Sequence, residues 1–282
     1  MQLRPGELQL LQQMVQQLAG VELDAGDGQL VEGRIGAVAE QHGCANFNEL
    51  YFRIRYGSDA RLMQQLVDAI TTHETHGLRD DVPFDALQFK VLPAAVDARQ
   101  QTATPGRLRI WSAACGSGQE PYSIAMILAE LLPDLDSRDV QILGTDSDQT
   151  AVAAAERGIY ADREVQRRTR PELLKKYFQR VTGGWQVQDA IRRHCRFQRQ
   201  DLLQPFVTLG PFDVVLVRNV LPGFDAAARK DIATRLRSLL LPHGWLFVGS
   251  SDNVVDLGTG WRPETHCRTT VYRPDLPAMA RH

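Results

Sequence analysis

Cysteine is scarce in this chain, and none of it is arranged for chemistry. Cys44, Cys115, Cys195 and Cys267 lie far apart across 282 residues with no Cys-x-x-Cys pair. That argues against a zinc site, a dithiol redox motif and a disulfide framework. Among the seven histidines, His73 and His76 stand three apart but have no third donor close by, so no metal is expected. Long apolar runs are also missing. The stretch LLLPHGWLFVGSS is broken by Pro242, His243 and Gly244 and falls short of the roughly 20 residues that a spanning helix needs. The opening MQLRPGELQLLQQM has no secretion-signal pattern, so a cytoplasmic protein without membrane insertion is expected. No charge of one sign dominates: the formal net charge is −2, which gives no global electrostatic reason to expect nucleic acid as a partner.

What is present is ordinary globular composition, 43% hydrophobic and 23% charged, in a chain long enough for two domains. Apolar residues recur at helical spacing through Leu8, Leu11, Val15 and Leu18, then Phe47, Leu50, Tyr51 and Ile54, then Leu62, Leu66, Ala69 and Ile70. Phe84, Leu87 and Val91 add a helix beginning at Pro83. Residues 1–103 therefore read as a helical domain, with a boundary at the polar, turn-bearing stretch around Pro105-Gly106. From 104 to 282 short apolar runs (LRIWSA, VQILGT, FDVVLV, GWLFVGS) alternate with helical patterns, which implies a parallel α/β sheet covered on both faces. Residues 160–200 interrupt that alternation. The Gly183-Gly184 pair between two short strand-like runs, and a further strand near Cys195, read as a small β insertion. Between Arg163 and Arg199 there are eleven Lys or Arg against three acidic residues, a local basic excess in a mildly acidic chain.

Three motifs carry chemistry. In LRIWSAACGSGQEPYSIAMIL a strand enters a turn of small residues, Ala113 to Gly118, and then a helix, which places a ligand at the strand's carboxyl end. Gln119-Glu120 stands where a P-loop needs Lys and Ser or Thr, and Pro121 occupies the third position of a dinucleotide fingerprint. Glu120 at the helix start repels phosphate and suits a cationic amine, so a nucleoside lacking phosphates is expected. Next, ILGTDSD ends a strand in Asp146, a position from which a carboxylate accepts from both ribose hydroxyls; an N-cap is its bland alternative. Last, Asp201 and Leu202 in FQRQDLLQP, and Arg218 and Asn219 after FDVVLV, fall where adenine and a substrate channel are bordered, unless they are plain surface polarity.

With these residues in place the sequence resembles the chemotaxis receptor methyltransferases, the CheR family, over nearly its whole length. The matching stretches are TTHETHGLRD, RIWSAACGSGQEPYSIAMIL, ILGTDSDQTAVAAAERGIY, GWQVQDAIRRHCRFQRQDLLQPF, GPFDVVLVRNVLPGFD and LPHGWLFVGSSDNV. The resemblance implies a Rossmann-like, S-adenosylmethionine-dependent methyltransferase sheet behind an N-terminal all-helical domain, with a small inserted antiparallel β-subdomain. It implies transfer of a methyl group from S-adenosylmethionine, leaving S-adenosylhomocysteine, to glutamate side chains on cytoplasmic helices of chemoreceptors. By motif position His73, Thr75, Arg79, Glu120, Asp146, Asp201, Leu202, Arg218 and Asn219 are the expected cofactor-binding residues. Arg79 is the candidate for orienting a carboxylate in the reaction, because its planar fork holds both oxygens. The expected partner is the receptor, docked through the basic β insertion, and the expected state is a monomer.

Several positions depart from the family pattern. His73 and Asp201 stand where it usually has Asn, and both still form hydrogen bonds. Gly77-Leu78 replaces two aromatic residues before Arg79, and Pro222-Gly223 replaces a stretch that normally carries the active-site tyrosine. Slow turnover is therefore expected. A catalytically silent cofactor- or receptor-binding module is one alternative, and a methyltransferase with another acceptor, nucleic acid included, is a second.

Overall fold

The computed structural model describes residues 1–19, 28, 31–57, 59–71, 82–166, 169–206, 208–221, 224–249 and 259–275. It divides into two compact units, Met1–Glu74 and Thr75–His282.

The first unit is all helical among the described residues. α1 (Glu7–Ala19), α2 (Gly36–Gln41, entered through a π turn at Val31–Ile35), α3 (Phe47–Tyr56) and α4 (Ala60–Thr71) form it. The helical spacing of the apolar residues is what closes the core: Leu11, Val15, Val31, Ile35, Phe47, Leu50, Leu62 and Leu66 are buried together. Asn46 starts α3 by accepting from the Glu49 amide at 2.9 Å, while Glu49 accepts from the Ala45 amide at 2.8 Å, a reciprocal cap.

The second unit opens with helical turns at α5 (Val82–Ala86), a π turn at Leu87–Val91, and α6 (Leu92–Gln100). This corrects the boundary expected at 103/104. Phe84, Leu87, Val91, Leu92 and Ala95 bury their apolar faces against Ile110, Ile124 and Ile142 of the α/β unit. A change from helical to strand texture marks a change of element, not of domain.

Seven strands form the main sheet: β1 (Leu108–Ala113), β2 (Val140–Asp146), β6 (Cys195–Arg199), β7 (Phe212–Val217), β8 (Leu240–Val248), β9 (Trp261–His266) and β10 (Thr269–Pro274). Their order is β6-β2-β1-β7-β8-β10-β9. The first five are parallel, and β10 runs antiparallel to both β8 and β9. Period-two alternation sorts each strand between two cores. Leu108 and Ile110 face one with Ile124 and Ile127 of α7 (Gln119–Leu131); Trp111 and Ala113 face the other with Ile232 and Leu236 of α12 (Ala226–Leu239). The expected α/β sheet, covered on both faces, is what forms.

After α8 (Gln149–Arg157) the chain makes a three-stranded antiparallel sheet from β3 (Ile159–Tyr160), β4 (Phe178–Val181) and β5 (Gly184–Val187), ordered β3-β5-β4. Short helices α9 (Asp162–Gln166), α10 (Pro171–Tyr177) and α11 (Asp189–Arg192) accompany it. The insertion is smaller than expected: β6 joins the main sheet beside β2, pairing Ile142 with Cys195 and Asp146 with Arg199. Its CRFQR sequence reads as a strand, but nothing local says which sheet completes it.

Candidate functional site

The strand order reverses between β1 and β7, and open parallel sheets receive ligands at that point, outside the carboxyl ends of the strands. The register brings the expected residues to this edge. Ala113 is level with Thr145 on one side and Val217 on the other, and Asp146 is level with Arg199. The turn after β1, the carboxylate after β2, Gln200 to Leu202 after β6, and Arg218-Asn219 after β7 therefore line one edge.

The turn from Ala113 to Gly118 folds tightly because Ala114, Gly116 and Gly118 all take positive φ, at 54°, 56° and 90°. Gly118 is needed for space as well: a Cβ there would lie 2.8 Å from the Ala155 Cβ and 3.1 Å from the Phe197 ring. Gly144 in β2 serves the same ring, since its Cβ would come within 2.6 Å of Phe197 Cδ1. Phe197 of β6 is thus wedged beneath the turn. Cys115 is buried there too, and desolvation, reinforced by Asp146 and Glu120, pushes its thiol well above the usual range. That disfavours its thiolate form.

Asp146 is half-buried and bridges turn and strand. Its Oδ2 accepts from the Gly116 amide at 2.9 Å and its Oδ1 from the Asp148 amide at 3.0 Å. A carboxylate has about four acceptor positions, so both oxygens keep capacity for outside donors. The N-cap reading fails here, because Asp148 caps α8 through the Thr150 amide at 2.7 Å.

Glu120 lies in a buried cluster. Ser112 Oγ donates to its Oε1 at 2.7 Å and Arg218 Nη1 to its Oε2 at 2.9 Å, while the Arg218 guanidinium stands 5.5 Å from the centre of the Phe84 ring. The charge that Glu120 meets within the chain is therefore Arg218, which the sequence reading placed at a pocket border. Ser112 was missed; a lone hydroxyl in an apolar strand, completely buried, was its signal. Asn219 takes φ +58°, a conformation that Asn tolerates better than most residues. Asp201 accepts from the Leu203 amide at 2.8 Å and is half-exposed, whereas the Leu202 side chain is buried in the core with Trp111 and Phe206. His73, Thr75, Arg79, Gly77-Leu78 and Pro222-Gly223 lie outside the described residues. Among the described residues no cluster of His, Cys, Asp or Glu is arranged to hold a metal ion, and no helix is long and apolar enough to cross a membrane.

Comparison with known proteins places this geometry. Residues 6–71 match the family model described as CheR methyltransferase, all-alpha domain, and residues 73–270 match CheR methyltransferase, SAM binding domain. Chemotaxis protein methyltransferase 1 of Pseudomonas aeruginosa is 38% identical over 256 residues, covering 89% of this chain and 91% of the relative. Chemotaxis protein methyltransferase Cher2 of Pseudomonas putida is 39% identical over 244 residues, covering 84% and 86%. The chemotaxis protein methyltransferase of Vibrio parahaemolyticus is 31% identical over 246 residues, again covering 84% and 86%. The site suits S-adenosylmethionine, the cofactor that the matched domain model names: the tight turn carries no basic side chain, and Asp146 keeps acceptor capacity for hydroxyls and opposes phosphate, while the Glu120 charge is met by Arg218. On the full extent of both matches, the chain belongs to the CheR family of S-adenosylmethionine-dependent chemotaxis methyltransferases.

Proposed function

We propose that this chain methylates glutamate side chains on the cytoplasmic helices of chemoreceptors and so tunes chemosensory adaptation. What carries the proposal is the match to both CheR domain models together with an Asp146–Gly116 contact that leaves acceptor capacity at the switch point. The relatives' names supply the chemotactic setting.

The reaction asks little of the protein beyond placement. A glutamate carboxylate with an ordinary pKa near 4.3 is already ionised at pH 7, so no general base is needed. When bound, S-adenosylmethionine supplies an activated methyl on a sulfonium and a neutral leaving group. Asp146 would receive the ribose hydroxyls, while Asp201, the main chain at Leu202 and Asn219 would border the adenine. Glu120 faces the amino-acid end, with Arg218 and Ser112 keeping its carboxylate in place. Thr75 and His73 complete the pocket, and Arg79 orients a carboxylate, either the acceptor's or the cofactor's own. Holding the acceptor oxygen in line contributes roughly 7 to 11 kcal/mol in favourable cases.

Receptor docking falls to the three-stranded sheet. At its edge Arg180, exposed, stacks 5.0 Å over the half-buried Trp185 ring, with Asp162 accepting from both, and Lys175 stands exposed nearby in sequence. Part of the basic excess is already paired within the chain, at its surface, in Lys176–Glu130, Arg192–Asp189 and Arg193–Asp136. That favours a specific protein partner over a polyanion, whose binding scales with uncommitted cations.

Pro222-Gly223 favours a second reading, a silent binding module. Single-turnover rates of wild type, Gly223→Tyr and Arg79→Ala on one receptor fragment separate the two. A wild-type rate that Arg79→Ala abolishes supports the enzyme; methylation only by Gly223→Tyr supports the silent module.

A further inference from the structure

The turn beneath the candidate site is tied to an element that holds none of the expected cofactor-binding residues. The peptide joining Ser117 to Gly118 is held at both ends. Its N–H donates to the Cys115 carbonyl at 3.1 Å, within the turn. Its C=O accepts at 2.8 Å from the hydroxyl of Tyr160, 43 residues further along and the last residue of β3. Tyr160 is almost fully buried and packs edge-on against Tyr122, with centroids 6.4 Å apart. Burial pushes its hydroxyl well above the usual tyrosine range, which leaves it a neutral donor at working pH. In the small sheet Tyr160 pairs with Trp185, which lies on the same face of the sheet and whose ring carries the exposed Arg180. One continuous path therefore joins the surface of the inserted sheet to the glycine turn.

We propose that Tyr160 is a positioning residue for the cofactor turn: its hydroxyl fixes the Ser117–Gly118 peptide plane and so holds the turn in the shape that keeps the Gly116 amide on Asp146. This rests on the reading that this turn and Asp146 receive S-adenosylmethionine. It makes the inserted sheet part of the cofactor site as well as a docking surface. If that peptide turned over, the backbone at Gly118 would change, and with it the close seat of Gly118 on Ala155 and Phe197.

Tyr122 supplies an internal control. It too is buried and donates its hydroxyl to a backbone carbonyl, that of Ala155 at 2.7 Å; its one bond to the turn runs from its backbone amide to the Gly118 carbonyl at 3.2 Å, which Tyr122→Phe leaves in place. The test measures S-adenosylhomocysteine affinity by calorimetry, melting temperature, and KM and kcat for wild type, Tyr160→Phe, Tyr122→Phe and Asp146→Ala. Loss of one buried hydrogen bond should weaken binding in Tyr160→Phe about three- to tenfold and raise KM for S-adenosylmethionine by a like factor, with kcat little changed. Tyr122→Phe should lower the melting temperature comparably and leave affinity within about twofold. Wild-type affinity in Tyr160→Phe, or equal losses in the two tyrosine variants, overturns the proposal while leaving the cofactor reading intact. Wild-type affinity in Asp146→Ala removes the cofactor reading and the proposal with it. Should Tyr160→Phe not fold, 3-fluorotyrosine at position 160 keeps the hydroxyl. Its fluorine resonance should move on adding S-adenosylhomocysteine, and an unmoved resonance counts against the proposal.

Discussion

Asp146 holds two backbone amides and still offers lone pairs on both oxygens, so removing it both loosens the turn and deletes the acceptor. Asp146→Ala should lose about 1.5 to 3 kcal/mol of S-adenosylhomocysteine binding, the range for hydrogen bonds to a charged group. Calorimetry that finds wild-type affinity removes Asp146 from the site. Arg218 and Glu120 form a buried pair, with side chains 6% and 9% exposed. Arg218→Met leaves a carboxylate buried with Ser112 as its remaining partner among the described residues, and should cost about 3 to 5 kcal/mol of stability. Urea unfolding with an unchanged slope checks this, and a loss below about 1 kcal/mol would mean that water reaches Glu120. Both carboxylates were legible in the sequence because each follows a strand or small-residue turn in a fixed order. The Ser112 contact and the Tyr160 contact were not. Each depends on which face of a strand looks toward which neighbour across more than local sequence.

Gly144, Phe197 and Gly118 form one packed unit across β2, β6 and the turn, and it fails by overfilling. Gly144→Ala drives a methyl into the Phe197 ring and should destabilise by about 1 to 3 kcal/mol. Adding Phe197→Leu should recover part of that loss, which thermal unfolding of the single and double variants will read. No recovery would place the strain elsewhere in β2. The same strands show where element-level reading stops. β1, β2, β7 and β8 were legible because strands buried on both faces are continuously apolar, and β7 is buried at all six positions. β6 was legible as a strand but assigned to the insertion, since its edge position allows Arg196, Gln198 and Arg199 to face solvent. The β9–β10 hairpin was missed altogether. Its turn places Cys267 and Arg268 at φ 47° and 61°, where a sequence reading looks for Asn or Gly.

At the scale of the molecule, the sheet and its insertion meet at the glycine turn, where Tyr160 donates to the Ser117 carbonyl. The α/β class and the helical segment were legible from periodicity alone. The division between units at Glu74 was not, because the segment from Val82 to Gln100 is helical yet belongs to the sheet's core. If the insertion docks the receptor through the Arg180 patch, Arg180→Ala should weaken receptor association. Cofactor affinity should hold, because the exposed Arg180 guanidinium bonds Asp162 while the Tyr160 hydroxyl keeps its hold on the turn. Pull-down against calorimetry separates the two effects, and equal loss of both would make the patch structural. The central claim is glutamate methylation, and it is tested most directly by incubating the wild-type protein with methyl-labelled S-adenosylmethionine and receptor cytoplasmic fragments. The predicted result is label on receptor glutamate that is released by mild base, as a carboxyl ester must be. Label that resists base, or none on the receptor while S-adenosylhomocysteine still binds, would contradict it.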